Sequence, residues 1–249
     1  SLVKLSVLVS AILMDGNPDN VWMAVILTLG LGLLVGLIHA FLINEFNLSP
    51  FVVTFASLFI LQGISLTITT KPIGRASRDF LMLYSQKFLG VPIIVYYFIF
   101  ITLLIMFLLR KTVFGKHIYA IGGNLSVAQL SGIPVKRVRY GVYGLCSVLA
   151  ASTGLLCLMR MGVGDPVIGK ELELNAIIAV VIGGTSLFGG RGTVTGVLGG
   201  ILLLTFTDNL LVVLGVNQFI SGLIKGIIFV AAVALYKQAD RARGGFSGP

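Results

Sequence analysis

Hydrophobic residues along this chain come in long uninterrupted runs rather than in amphipathic stripes. An apolar opening segment, residues 1–14 with Lys4 embedded in it, is followed by runs at 22–43, 51–70, 91–109, 141–159, 194–214 and 219–236. Each approaches the ~20 residues that a helix needs to cross a hydrocarbon core of about 30 Å, so six spanning helices are predicted. Ser49-Pro50 supplies an N-cap and a proline at the first helical position, a clean start for the 51–70 helix. One run is different in kind. Leu174 to Ile182 is only nine residues long, about 14 Å as a helix. It breaks into Gly183-Gly184-Thr185-Ser186 and Gly189-Gly190-Arg191-Gly192 before the next run begins at Val194. Glycine-rich backbone of this kind persists at membrane depth only where protein or a watery cavity surrounds it.

Basic residues set the orientation. Between Leu109 and Gly141 stand Arg110, Lys111, Lys116, Lys136, Arg137 and Arg139 with no acidic residue, and the tail after Tyr236 carries Lys237, Arg241 and Arg243. Both read as cytoplasmic. Asp15, Asp19, Asp165, Glu171 and Glu173 then fall outside. The 71–90 loop, with Lys71, Arg75, Arg78 and Lys87 against Asp79, is placed outside by alternation despite its charge. If 141–159 runs outward and 219–236 returns to a cytoplasmic tail, the chain must cross inward between Arg160 and Val194. Only the 172–193 segment is available, as part helix and part irregular chain that delivers Arg191 to the cytoplasmic face. Glycine-interrupted segments are the strongest sequence pointer to a transport site in membrane carriers. Asn175, Gly183, Gly184, Thr185, Ser186, Gly189, Gly190, Arg191 and Gly192 are therefore the candidates for a translocation pathway or gate. A structural kink buried between helices is the alternative reading.

The basic loop, residues 110–140, has internal order. Gly122-Gly123-Asn124 precedes Leu125 to Ser131 and Gly132-Ile133-Pro134 follows, so Asn124 caps a helix of about two turns that Gly132 ends. So short a helix is marginal without packing, which points to a docking partner on the cytoplasmic side. The spacings Gly32/Gly36, Gly192/Gly196/Gly200 and Gly222/Gly226 suit close helix packing in lipid.

Composition agrees with a polytopic membrane protein: 57% hydrophobic, 11% charged, mean hydropathy +1.04. The net charge of +9 reads as membrane topology and not as nucleic-acid binding, because no basic patch is interleaved with aromatics. Cys146 and Cys157 share one apolar run at a helical separation of about 16 Å, too far for a bridge, and read as inert core thiols. His39 and His117 read as structural or surface residues; no metal-spaced cluster appears. No phosphate-binding Gly-Lys-Ser/Thr loop, no carboxylate pair and no nucleophile with a base is present, so neither a catalytic residue nor a cofactor is expected.

Two stretches carry a resemblance. Tyr119 to Val135, Y-A-I-G-G-N-L-S-V-A-Q-L-S-G-I-P-V, and Glu173 to Gly196, E-L-N-A-I-I-A-V-V-I-G-G-T-S-L-F-G-G-R-G-T-V-T-G, closely resemble the permeases of bacterial ABC importers for monosaccharides, the ribose, xylose and galactose group. The resemblance implies an all-α polytopic permease of the type II importer kind in the bacterial inner membrane, with about eight spans in this chain. These include the short broken crossing, and earlier spans with an Asp-Leu-Ser-Val-Gly motif are expected ahead of Ser1. It further implies a single permease domain over 1–249, with a cytoplasmic tail at 237–249 and a second permease copy or paralogue beside it. An extracytoplasmic sugar-binding protein and a cytoplasmic ATP-binding subunit are implied as well, the latter coupled through Gly122, Gly123, Asn124, Leu125, Ala128 and Gly132. Asn175 stands where an aspartate is common in such permeases, and Leu172 where an aromatic is.

Other classes remain open at this stage: a related permease for branched-chain amino acids, a self-powered secondary carrier, or a passive pore. A secondary carrier wants ionisable groups at mid-membrane. Only Asp208 and Lys225 lie clearly within runs, eight residues either side of a turn at Val216-Asn217. Antiparallel helices bring such residues level, so they are expected to pair.

Overall fold

The structure is a computed structural model that describes residues 1–167, 169, 172–186, 189–217, 220–228 and 230. Among the described residues the regular structure is helical apart from one two-residue strand pair and an isolated bridge between Ile73 and Gly164. In chain order the elements are α1 (Leu2–Met14), a 3-10 turn (Pro18–Asn20), α2 (Val21–Glu45), α3 (Pro50–Ile68), α4 (Arg78–Ser85), β1 (Lys87–Phe88), β2 (Val91–Pro92), α5 (Ile93–Lys111), α6 (Val113–Gly123), α7 (Leu125–Leu130), α8 (Val135–Met161), α9 (Leu172–Ile182) and α10 (Val194–Val213). A further helical stretch covers 220–228. Five of these, α2, α3, α5, α8 and α10, are long and apolar enough to cross a membrane; α1 and α9 are apolar but shorter. The rest of the 219–236 run, the turn residues Gln218 and Phe219, the acidic Glu171 and the 237–249 tail lie outside the described residues.

Several ends are written locally. Pro50 opens α3 at its first turn, although Ser49 at the N-cap makes no side-chain bond, contrary to the expectation from Ser-Pro. Helices α4 and α6, and the hairpin between α4 and α5, are additions to the picture drawn from sequence. Ser77 caps α4 by accepting from Phe80 N, and Thr112 caps α6 by accepting from Gly115 N. The hairpin turns through Leu89 (φ 51°) and Gly90 (φ 82°), the left-handed pair that a tight two-residue connection requires.

The chain divides into two compact units, each built from two segments: residues 1–104 with 133–170, and 105–132 with 171–249. The first is organised on α1, buried among α2, α3 and α8. Its core joins Val7, Ala11 and Met14 to Ala24, Leu155 and Leu158, and Phe80 of α4 closes one end. Helices α2 and α8 approach until backbone meets backbone: a Cβ on Gly36 would stand 2.5 Å from Tyr143 O and 2.9 Å from Gly144 Cα. Lys4 is 5% exposed within this unit. Cys146 is exposed on α8 and Cys157 half-buried, and both are free thiols. The reading of both as core residues thus fails for Cys146, which sits on the face of α8 away from Gly144 and Ser147.

The two ends of this unit are distinct. At one, Lys136 Nζ meets Glu45 Oε1 at 2.9 Å, while Asn44 donates to Lys136 O and accepts from Arg139. At the other, Gly16 N donates to Arg75 O, Ile73 and Gly164 exchange backbone hydrogen bonds, and Ala76 N donates to Gly162 O. The basic 71–78 segment therefore lies at the same end as Asp15 and Asp165, opposite the basic start of α8.

In the second unit α9 and α10 pack closely. A Cβ on Gly183 would fall 2.6 Å from Gly196 O, and one on Gly200 would fall 3.0 Å from Gly183 N. Gly222 and Gly226 have no neighbour within 4 Å of a Cβ among the described residues. Of the three small-residue spacings, then, two place backbones in contact.

Candidate functional site

The second unit gathers most of the residues singled out from sequence. Helix α9 ends as glycine demands: Gly183 N donates to Ala179 O, Gly184 N to Val181 O, and Thr185 N to Val180 O, with Gly184 at φ +79°. These bonds satisfy the carbonyls that a helix terminus leaves open. The chain then forms a closed loop in which Ser186 N donates to Arg191 O at 2.9 Å and Gly189 N to Ser186 O at 3.2 Å. Leu187 and Phe188 at its tip lie outside the described residues. Thr193 caps α10 by accepting from Gly196 N. These bonds satisfy part of the backbone of this irregular stretch, as chain away from water requires.

The short helix of the basic loop is also present. Asn124 Oδ1 accepts from Val127 N at 3.0 Å, α7 spans Leu125–Leu130, and Gly132 follows at φ +75°. Ala128 is buried whereas Leu130 is 89% exposed, so α7 is seated on one face and presents apolar surface on the other. Asn124 is at once the C-cap of α6 and the N-cap of α7.

The loop and the segment leading into α7 meet. Tyr119 Oη donates to Gly192 O at 2.8 Å. A Cβ on Gly122 would lie 2.5 Å from Gly190 N, and one on Gly190 would lie 2.8 Å from Gly123 Cα. Beside this contact is a cavity of ≈ 460 Å³ whose lining includes Ile105, Tyr119, Gly122, Thr185, Ser186 and residues 189–194. Thr185 Oγ1 is enclosed and finds no hydrogen-bond partner among the described residues, while Arg191 is exposed. The cavity thus joins an apolar wall to hydroxyls and a guanidinium.

Of the sequence-derived candidates, Gly122, Thr185, Ser186, Gly189, Gly190, Arg191 and Gly192 come together here. Gly183 and Gly184 end α9, and Asn175 is half-buried two turns earlier, away from the cavity lining. Asp208 and Lys225 form their own site, with Lys225 Nζ 2.9 Å from Asp208 Oδ1. Tyr119, Thr193 and the end of α5 at Ile105 and Leu109 were not singled out from sequence. Only Thr193, an N-cap residue ahead of an apolar run, carried a local signal. No group of three His, Cys, Asp or Glu able to hold a metal ion occurs among the described residues.

Residues 1–233 match the family described as branched-chain amino acid transport system / permease component. The chain belongs to this permease family. It is 41% identical over 189 residues to the probable ABC transporter permease protein YphD of Escherichia coli (strain K12), covering 76% of this chain and 57% of that one. The ribose import permease protein RbsC of Bacillus subtilis (strain 168) is 38% identical over 200 residues, 79% of this chain and 62% of the relative. The protein of the same name from Escherichia coli (strain K12) is 33% identical over 238 residues, 94% of this chain and 74% of the relative. The match to the first two relatives thus spans about three-fifths of their length. No solved structure matches the chain. Membership of this permease family and the apolar spans make it a multi-pass bacterial membrane protein.

Proposed function

We propose that this chain is the membrane permease of an ABC importer that carries a monosaccharide (a pentose, a hexose or a related polyol) into the cell by alternating access. The observation that carries the reading is the match over 94% of the chain to a permease named for ribose import, together with a second at the same coverage named for D-allose transport. ATP hydrolysis belongs to a separate cytoplasmic subunit that docks on α7 at the exposed Asn124 and Leu125, with Gly132 setting the exit of the helix; Ala128, expected from sequence to touch that subunit, is buried and instead seats α7 on this chain. Sugar arrives from an extracytoplasmic binding protein, and two permeases, identical or paralogous, stand side by side. The glycine-broken segment from α9 to Thr193 is the inner gate. Eight crossings are proposed, counting α1, α9 and the final run, with the α7 end cytoplasmic.

The family description favours a second reading, import of branched-chain amino acids. Proteoliposomes holding the permease, its ATPase and its binding protein separate the two. ATP-dependent uptake of radiolabelled ribose or allose, with no uptake of leucine, supports the sugar reading. Leucine uptake alone overturns it, and uptake without ATP indicates a self-powered carrier.

A further inference from the structure

We propose that Tyr119 is a positioning residue that ties the short cytoplasmic helix to the glycine-broken segment, so that movement of one is delivered directly to the other. The inference rests on the permease reading above and adds the joint through which docking reaches the gate. Its physical basis is that the two pieces meet through a hydrogen bond to backbone and through backbone-to-backbone contact. Tyr119 Oη holds Gly192 O at 2.8 Å across 73 residues of sequence. One turn further along α6, Gly122 faces Gly190 with no room for a Cβ on either side. Gly190 is restricted twice over, because its φ of +74° also excludes ordinary side chains. Side chains absorb displacement by changing rotamer, and two backbones in contact have no such freedom.

Both sides of the joint are stiff. On one, α6 and α7 are separated by Asn124 alone, whose side chain locks the first turn of α7. On the other, the Ser186 to Arg191 hydrogen bond closes the loop, and Gly192 adjoins Thr193, the cap of α10. A shift of α7 therefore displaces the loop between α9 and α10 as a unit. Packing alone accounts for the glycines, but not for a tyrosine hydroxyl donated to the one carbonyl that links the loop to the α10 cap.

The test is the number of sugar molecules imported per ATP hydrolysed by the complete transporter in proteoliposomes. Tyr119→Phe keeps the ring and deletes the hydrogen bond. Its import per ATP is expected to fall about fivefold, the weight of one typical hydrogen bond, while ATPase rate and assembled complex stay near wild type. Tyr96→Phe is the matched control. It removes a tyrosine hydroxyl bonded to Phe88 O at 3.0 Å in the other unit, and its ratio is expected to equal wild type. Gly122→Ala, which drives a methyl into Gly190, should lower the ratio at least as far. A merely structural Tyr119 would lower import and hydrolysis together, leaving the ratio unchanged, and that result overturns the proposal. Wild-type vesicles without ATP-driven sugar uptake overturn the permease reading and this joint with it. A normal wild-type ratio shared by Tyr119→Phe and Gly122→Ala removes the joint alone.

Discussion

Lys225 Nζ stands 2.9 Å from Asp208 Oδ1, and the lysine side chain is 11% exposed against 39% for the aspartate. The pair joins α10 to the helical stretch at 220–228. A lone charge at mid-membrane costs on the order of 2.5–3.5 kcal/mol on insertion scales, so each residue makes the other tolerable. Asp208→Asn is expected to destabilise the protein in detergent melts and lower its expression, and adding Lys225→Gln should recover part of the loss. A coupling energy above about 0.5 kcal/mol in the double-mutant cycle is the predicted result. Strict additivity would mean that the contact contributes nothing.

The close approach of α2 and α8 gives a second expectation. Gly36→Ala forces a methyl to within 2.5 Å of Tyr143 O, whereas Gly30 on the same helix has nothing within 4 Å of its Cβ position. Overpacking of this kind costs about 1–3 kcal/mol. Gly36→Ala should lower the melting temperature, and Gly30→Ala should leave it unchanged or raise it slightly, because alanine is the better helix former. Equal melting temperatures would show that α2 and α8 separate readily.

Gly132 follows α7 at φ +75° with no atom within 4 Å of where its Cβ would stand. The penalty of a substitution there is purely conformational, about 1–2 kcal/mol for most side chains and less for asparagine. ATP-driven uptake should drop in Gly132→Val and largely persist in Gly132→Asn, at equal expression. Full uptake by Gly132→Val would separate the exit geometry of α7 from coupling.

How much of this was visible in the sequence follows from the range of the interactions. The five long spans and the short α9 are legible because burial in lipid demands uninterrupted apolar length, a purely local property. The Asn124 cap and Gly132 stop are likewise local. The meeting of Asp208 and Lys225 follows from arithmetic on one hairpin. Helix α6 was not singled out, because its eleven residues are too short for a span and lie between the basic residues at 110–111 and 136–139 that drew the loop reading. The bond from Tyr119 to Gly192 depends on two segments 73 residues apart, and no periodicity or spacing records such a pairing. The backbone bonds that tie the 71–78 segment to Gly16 and Gly162 join stretches far apart in sequence, and the charge pattern of the 71–90 loop carries no trace of them.

Thiol labelling most directly tests the proposal that the glycine-broken segment lines the route. In a Cys146→Ser, Cys157→Ser background, Thr185→Cys and Ser186→Cys are treated with a membrane-impermeant maleimide in the assembled transporter, with and without ATP. Labelling that changes severalfold between nucleotide states is the predicted result. Labelling that is absent in every state, in variants that still transport, would make the segment a structural kink and contradict the proposed gate.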